Sequence, residues 1–230
     1  MKEFLNQSVY FGVTVSMIGY ALGLFLKKKF KSGMLNPLLI SIIFVIGAIK
    51  LLDVDYEAYK TSAQYLGYLL TPATVALAIP LYQKMELLKK NLFAVMGGIL
   101  SGVIASLVSI LGMSLIFHLS HEEYVTLLPK SITTAIGLGV SEELGGITTI
   151  TVAVIIVTGV IGNVIGQFVC KLFKIYEPIA VGLAFGTSAH AIGTTKAMEL
   201  GEVEGAMSSL SIAVAGLLTV GGAALFSSFI

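Results

Sequence analysis

Residues 127–145 read LLPKSITTAIGLGVSEELG, and residues 183–201 read LAFGTSAHAIGTTKAMELG. Laid over each other at an offset of 56 positions, Ala135-Ile136-Gly137 meets Ala191-Ile192-Gly193, and Glu143-Leu144-Gly145 meets Glu199-Leu200-Gly201. Residues 70–88, LTPATVALAIPLYQKMELL, join the same register 57 positions earlier, with Ala78-Ile79-Pro80 and Glu86-Leu87-Leu88. Thr74, Ser131 and Thr187 form a hydroxyl column, and Pro72 aligns with Pro129. Further along, Gly102, Gly159 and Ala215 are all small. Ala, Ile, Gly and Leu recur by chance in so apolar a chain, but the whole sequence holds only 13 Asp and Glu residues. Three glutamates in register point to an internal repeat of about 57 residues.

Each copy is a short apolar piece interrupted by Pro or Gly, then a Glu-containing turn, then a long apolar stretch. Proline removes a backbone donor and glycine loosens a helix. Pro72, Pro80, Pro129, Gly137, Gly186 and Gly193 are therefore the expected helix breaks. Unpaired backbone at membrane depth survives only against protein or a water-filled cavity. Interrupted segments in corresponding positions are a pointer to a transporter binding site.

That the setting is a membrane follows from composition. Of 230 residues, 56% are apolar and 12% charged, with a mean hydropathy of +0.95. A soluble domain carries about 25% charge. The net charge of +1, with fourteen Lys and no Arg, excludes a nucleic-acid binder, which needs a basic face. A single cysteine, Cys170, excludes a disulfide scaffold or multi-cysteine metal site. Apolar stretches at residues 7–26, 36–51, 66–82, 91–119, 147–169, 178–195 and 206–229 read as spans, since ~20 helical residues cross the hydrocarbon. A shorter piece at 127–140 makes the count seven or eight. Ahead of the first span stand only Lys2 and Glu3, with no small-residue cleavage pattern, so it reads as a span rather than a leader. The expectation is one all-α, multi-pass domain over residues 1–230. Residues 1–65 supply N-terminal spans and 66–230 the repeat-containing core.

Within that core Lys130 stands out, because a charge inside the membrane costs ~3 kcal/mol on insertion scales. If the stretch is helical, Lys130, Thr133, Thr134 and Gly137 share one face, and Pro129 puts Lys130 in a first helical turn where an anion is favoured. The other reading is a lysine that snorkels outward or pairs with Glu142 or Glu143. In the third copy Thr187, His190 and Thr194 share a face. His190 is read either as a polar contact for substrate or as a histidine satisfying a neighbouring carbonyl. Ser188 and His190 point roughly 200° apart on a helix, which argues against an intramembrane hydrolase. The candidate binding set is thus Lys130, Ser131, Thr133, Thr134, Thr74, Thr187, His190 and Thr194. His118, His121 and Glu122 have ligand-like spacing but end a span beside an acidic loop, so no metal or other cofactor is assigned. Gly98-x-x-x-Gly102 and Gly162-x-x-x-Gly166 allow close helix packing and leave a homo-oligomer face open.

The motifs carry a family resemblance over essentially the whole chain. LTPATVALAIPLY (70–82), Leu128-Pro129-Lys130-Ser131, Ala189-His190-Ala191-Ile192-Gly193-Thr194, Asn36-Pro37 and Gly205-Ala206-Met207-Ser208-Ser209-Leu210 resemble the LrgB/CidB family. One departure is that Ala189, not serine, directly precedes the histidine; the serine is Ser188. The resemblance implies a bacterial inner-membrane protein related to cation-proton antiporter and anion transporter folds. Its members are described as holin- or antiholin-like regulators of murein hydrolases, as pyruvate facilitators and, in plastids, as glycolate/glycerate transporters. It also implies a small LrgA/CidA-type membrane partner. Together, residues and resemblance lead to the expectation of a small-monocarboxylate transporter subunit that is not an enzyme. A lysis-regulating pore is the rival reading.

Loop charges orient the chain. Lys27–Lys31, the run Lys84, Lys89, Lys90, and the pair Lys171, Lys174 are basic; Asp53, Asp55, Glu57, Glu122 and Glu123 are acidic. With basic loops cytoplasmic, the N-terminus lies outside and the short piece around Lys130 dips in and returns. A cysteine at Asp55 or Glu123, with Cys170 replaced, is expected to react with an impermeant maleimide on intact cells. One at Lys29 or Lys89 reacts only after permeabilisation, and the reverse pattern would invert the orientation.

Overall fold

A computed structural model describes residues 2–30, 36–76 and 78–230; the side chains of Lys2, Phe4, Leu70, Thr71, Thr74 and Leu81 lie outside the described residues. All regular structure described is helical. Two compact units divide the chain, Met1–Ala76 and Leu77–Ile230.

The first unit contains α1 (Lys2–Gln7), α2 (Phe11–Phe30), α3 (Pro37–Leu51), α4 (Tyr56–Gly67) and α5 (Leu70–Ala76). One face of α2, made of Gly12, Val15, Gly19 and Gly23, is buried. Its glycines admit α3 and α4 closely: a Cβ on Gly23 would meet the Pro37 backbone, and one on Gly12 the Ser62 hydroxyl and Ala63 nitrogen. Asn36 starts α3, its Oδ1 accepting from the Leu38 and Leu39 nitrogens at 2.8 and 3.2 Å, with Pro37 in the first turn.

The second unit contains α6 (Ala78–Gln83), α7 (Met85–Lys90), α8 (Leu92–Phe117), α9 (His121–Leu127), α10 (Thr134–Glu143), α11 (Thr148–Leu172), α12 (Pro178–Leu200) and α13 (Glu202–Phe226), which ends in a 3-10 turn at Ser227–Phe229. Helices α2, α8, α11 and α13 with its terminal turn are long and apolar enough to cross a membrane. The other stretches read as spans differ in ways their sequence explains. Helix α3 has 15 residues, and residues 66–82 are divided among α4, α5 and α6. Pro72 and Pro80 each stand third in α5 and α6, in the first turn, where a missing N–H is harmless.

Residues 127–140 form a hairpin rather than a helix. A capping box between Ser120 and Glu123 starts α9. The chain turns between Leu127 and Thr134, and α10 runs back. Thr126, Ser141 and Thr151 then close the structure: the Ser141 and Thr151 hydroxyls are 2.7 Å apart, Thr151 donates to the Thr126 carbonyl at 3.0 Å, and the Ile147 N–H donates to Thr126 Oγ1 at 2.8 Å. Lys130 therefore lies in the turn before α10, so the shared helical face and the first-turn placement expected for it do not form. Gly137 lies inside an unbroken α10, where its missing side chain admits Ile155 and Pro129.

Helix α12 is the broken one, and the break is at Ala189 (φ −131°, ψ 15°) and His190 (φ 41°, ψ −139°), not at a glycine. Gly186 and Gly193 flank it and serve contact instead: a Cβ on Gly186 would strike the Ser208 backbone of α13, and one on Gly193 the Phe185 carbonyl. The buried His190 ring holds the break, donating from Nε2 to the Ile155 carbonyl of α11 at 3.0 Å. Thr194 Oγ1 bonds both the His190 carbonyl at 2.9 Å and the Ser208 hydroxyl at 2.7 Å. Asn163 of α11 donates to the Ile192 carbonyl at 2.7 Å.

A non-glycine residue held at φ 41° stores about 1–3 kcal/mol of strain. Inside a regular helix, alanine is about 1 kcal/mol better than glycine. At position 190 the order reverses: both His190→Ala and His190→Gly lose the bond to Ile155, but only glycine relieves the backbone. Thermal unfolding in detergent should rank His190→Gly above His190→Ala; the opposite ranking would mean that the break is not strained.

Candidate functional site

An open groove of ≈ 750 Å³ lies in the second unit, between α8, the hairpin turn and the first half of α12. Small residues create it. A Cβ on Gly98 would fall 2.9 Å from Leu183 Cδ1, and one on Gly102 3.1 Å from Thr187 Oγ1, so α12 approaches α8 closely along that edge. Lys130 and Ser131 enter from the turn, and Thr187 and Ser188 from the residues just before the break in α12. Ser101, Ser106 and Ser109 line it from α8.

Lys130 Nζ is 3.0 Å from Ser131 Oγ and 3.5 Å from Ser106 Oγ, and the two hydroxyl oxygens are 3.1 Å apart. No carboxylate lies within 4.0 Å of the ammonium among the described residues. Glu142 and Glu143, the pairing partners weighed from sequence, are exposed at the end of α10. The ammonium is instead turned inward on two serines. Its three N–H groups and the two hydroxyls hold five hydrogens, of which the internal bonds use three. One N–H and one O–H remain to be offered, which matches the two oxygens of a carboxylate.

Of the residues singled out from sequence, Lys130, Ser131 and Thr187 line this groove together. His190 and Thr194 are turned into the packing behind it. Thr133 precedes α10 and Thr134 opens it, both half-buried and neither lining the groove. Thr74 lies in α5, and its side chain is outside the described residues. Ser188 and His190 do not meet even across the unwound backbone, since Ser188 donates to the Ala184 carbonyl at 2.6 Å and the His190 ring faces Ile155. Ser106 was not among the residues singled out, although it falls in register with Asn163 and Thr219, four residues past the Gly102, Gly159 and Ala215 column. Its signal is the set of serines inside an otherwise apolar α8.

The glycine pairs have a common partner. Gly98 and Gly102 of α8 face Leu183 and Thr187 of α12, while Gly162 and Gly166 of α11 face Ala189 and Phe185 of the same helix. Both small-residue notches thus seat the broken helix.

Fold and site together define a multi-pass α-helical membrane protein with a cationic, hydroxyl-lined groove beside a broken helix. Residues 16–229 match the LrgB-like family, and the chain belongs to it. It is 38% identical over 216 residues to antiholin-like protein LrgB of Bacillus subtilis (strain 168), covering 94% of both chains. It is also 38% identical over 222 residues to antiholin-like protein LrgB of Bacillus mycoides (strain KBAB4), covering 96% of both. No solved structure matches it.

Proposed function

We propose that the protein is a bacterial inner-membrane transporter subunit for a small monocarboxylate of the pyruvate, lactate or glycolate class. The carrying observation is the inward-turned Lys130 ammonium, which has no carboxylate neighbour and is cradled by Ser106 and Ser131. A charge held in the membrane without a counter-ion needs a partner or a function, and a carboxylate supplies the missing charge. Thr187 lines the same groove, its hydroxyl hydrogen engaged by the Leu183 carbonyl. The repeat register supports the reading: the turn before α10 and the break in α12 occur at matching positions, each followed by a long helix. Interrupted helices in corresponding positions form the substrate sites of many secondary transporters. Residues 66–230 would then be the transport core, assisted by a small LrgA/CidA-type membrane protein.

A second reading comes from the printed name of the relatives, antiholin-like protein LrgB. On that reading the chain is a pore or regulator of murein hydrolase activity and lysis. A carrier saturates and discriminates between acids, whereas a pore does neither.

Flux of radiolabelled pyruvate, lactate and glycolate into proteoliposomes, with and without the small partner, separates the two. We expect saturation, and we expect Lys130→Met to lose a charge-assisted hydrogen bond of ~1.5–3 kcal/mol. That is roughly a tenfold to hundredfold loss of affinity. Methionine keeps the apolar stem, so insertion should be normal. Lys130→Arg should also be impaired, its planar guanidinium needing more acceptors than two serines provide. Wild-type flux in Lys130→Met would remove the site.

A further inference from the structure

The chain reverses direction at the break in α12. Before it the helix runs parallel to α13: a Cβ on Gly182 would meet the Glu204 carbonyl and Met207, and one on Gly186 the Ser208 backbone and Ser211. Beyond His190 it runs antiparallel to the same neighbour, with Thr194 Oγ1 2.7 Å from Ser208 Oγ and Gly205 packed against Met198. The same reversal is seen along α11. Phe185 lies against Gly166, Ala189 against Gly162 and the His190 ring against Gly159. Asn163 then donates to the Ile192 carbonyl at 2.7 Å and the Thr195 hydroxyl at 3.1 Å, so the chain has turned back. A Cβ on Gly193 would abut the Phe185 carbonyl, although residues eight apart on a straight helix are separated by ~12 Å. Ala197 and Leu200 return to pack with Cys170 and Val181, near the end of α11 and the start of α12.

Two arms of about ten residues rise ~15 Å each, half the hydrocarbon thickness. Read as a span, α12 would carry Glu202 to the side opposite Lys171 and Lys174. Instead Lys84, from the basic run, donates to Glu202 at 2.8 Å. An exposed pair of that kind adds little stability, and its value here is positional. Helix α13 then makes the crossing. At its far end the Tyr124 hydroxyl donates to the Phe226 carbonyl at 2.9 Å, and His121 Nδ1 lies 3.3 Å from the Ile230 carbonyl. That is the side of acidic Glu122 and Glu123.

We propose that α12 is a re-entrant hairpin that enters and leaves the membrane on the basic, cytoplasmic side, and that the groove it lines opens to that side. The α9–α10 hairpin is its counterpart from the opposite side, its turn meeting α8 midway along at Ser106. Each hairpin is followed by a crossing helix of 25 residues, α11 in one case and α13 in the other, and the two crossings run in opposite directions. The groove lining extends from Val169 and Ala180, near the cytoplasmic ends of α11 and α12, to Lys130. A ligand therefore reaches Lys130 from the cytoplasm in this conformation. The hairpin stands without any reading of the ligand; only this last step rests on the site proposed above.

Side-specific labelling tests both parts. Cysteines at Glu202, Ser228 and Ser188, one at a time and with Cys170 replaced, are exposed to an impermeant maleimide in intact cells and in inverted vesicles. Cysteines at Lys89 and Glu123 serve as references for the two sides. All three native side chains are exposed, so the variants should fold. Glu202→Cys is expected to label with the Lys89 reference and Ser228→Cys with the Glu123 reference. A spanning α12 gives the reverse for both, and either reversal would overturn the hairpin. Ser188→Cys, just before the break, should label from the Lys89 side alone. Labelling from the Glu123 side, or from neither, would overturn the cytoplasmic route and leave the hairpin standing. None of these readouts depends on which anion the groove holds, so their failure is separate from failure of the monocarboxylate reading.

Discussion

The arrangement of the second unit depends on how a helix with a broken backbone can be held where water cannot drive packing. Lipid tails are as apolar as leucine, so association must come from close van der Waals contact and hydrogen bonds between helices. Around α12 both are present. Gly98 and Gly102 admit it on α8, Gly159, Gly162 and Gly166 admit it on α11, and its own Gly182 and Gly186 admit the α13 backbone. Hydrogen bonds from His190, Thr194 and Asn163 then satisfy or brace the backbone around the break. A single added methyl at Gly162 would collide with Ala189 at the break itself.

This packing has a consequence for chemistry. His190, Thr194 and Asn163, which brace the break in α12, lie outside the groove lining, and the α12 residues that line the groove precede the break. His190 works in the first group and Thr187 and Ser188 in the second, although only a few residues separate them. The hairpin from α9 to α10 meets the same groove from the other side with Lys130 and Ser131. One cation and a set of hydroxyls are thus brought together from three elements, each fixed by contacts that do not themselves involve a ligand. On the transporter reading proposed above, that is pre-organisation in the physical sense: the groups would need little reordering to receive an anion.

Much of this was legible in the sequence. The apolar runs and an interruption at Pro129 were legible, and Lys130, Ser131 and Thr187, singled out from the sequence, do line one groove. What was not legible has local causes. Pro129 marked a break, but the short α9 and the tight turn after it placed Lys130 outside any helix. Glycine suggested breaks at 137, 186 and 193, yet Gly137 and Gly186 admit neighbouring elements, and Gly193 lies against Ala189 and Phe185 of its own helix. The strain sits on His190, a residue whose propensity gives no such warning. Ser106 lay hidden because its role depends on which face of α8 meets the turn, and the several serines of α8 do not by themselves single out that face.

Occupancy of the groove tests the account most directly. With Cys170 replaced, a cysteine at Ser101 on the exposed rim should react with a maleimide, and the rate can be followed with increasing lactate. An anion held at Lys130 predicts saturable protection by lactate and none by lactamide, which has the same shape without the negative charge. Labelling at the same rate with and without lactate, or equal protection by both compounds, would contradict an anion held at Lys130.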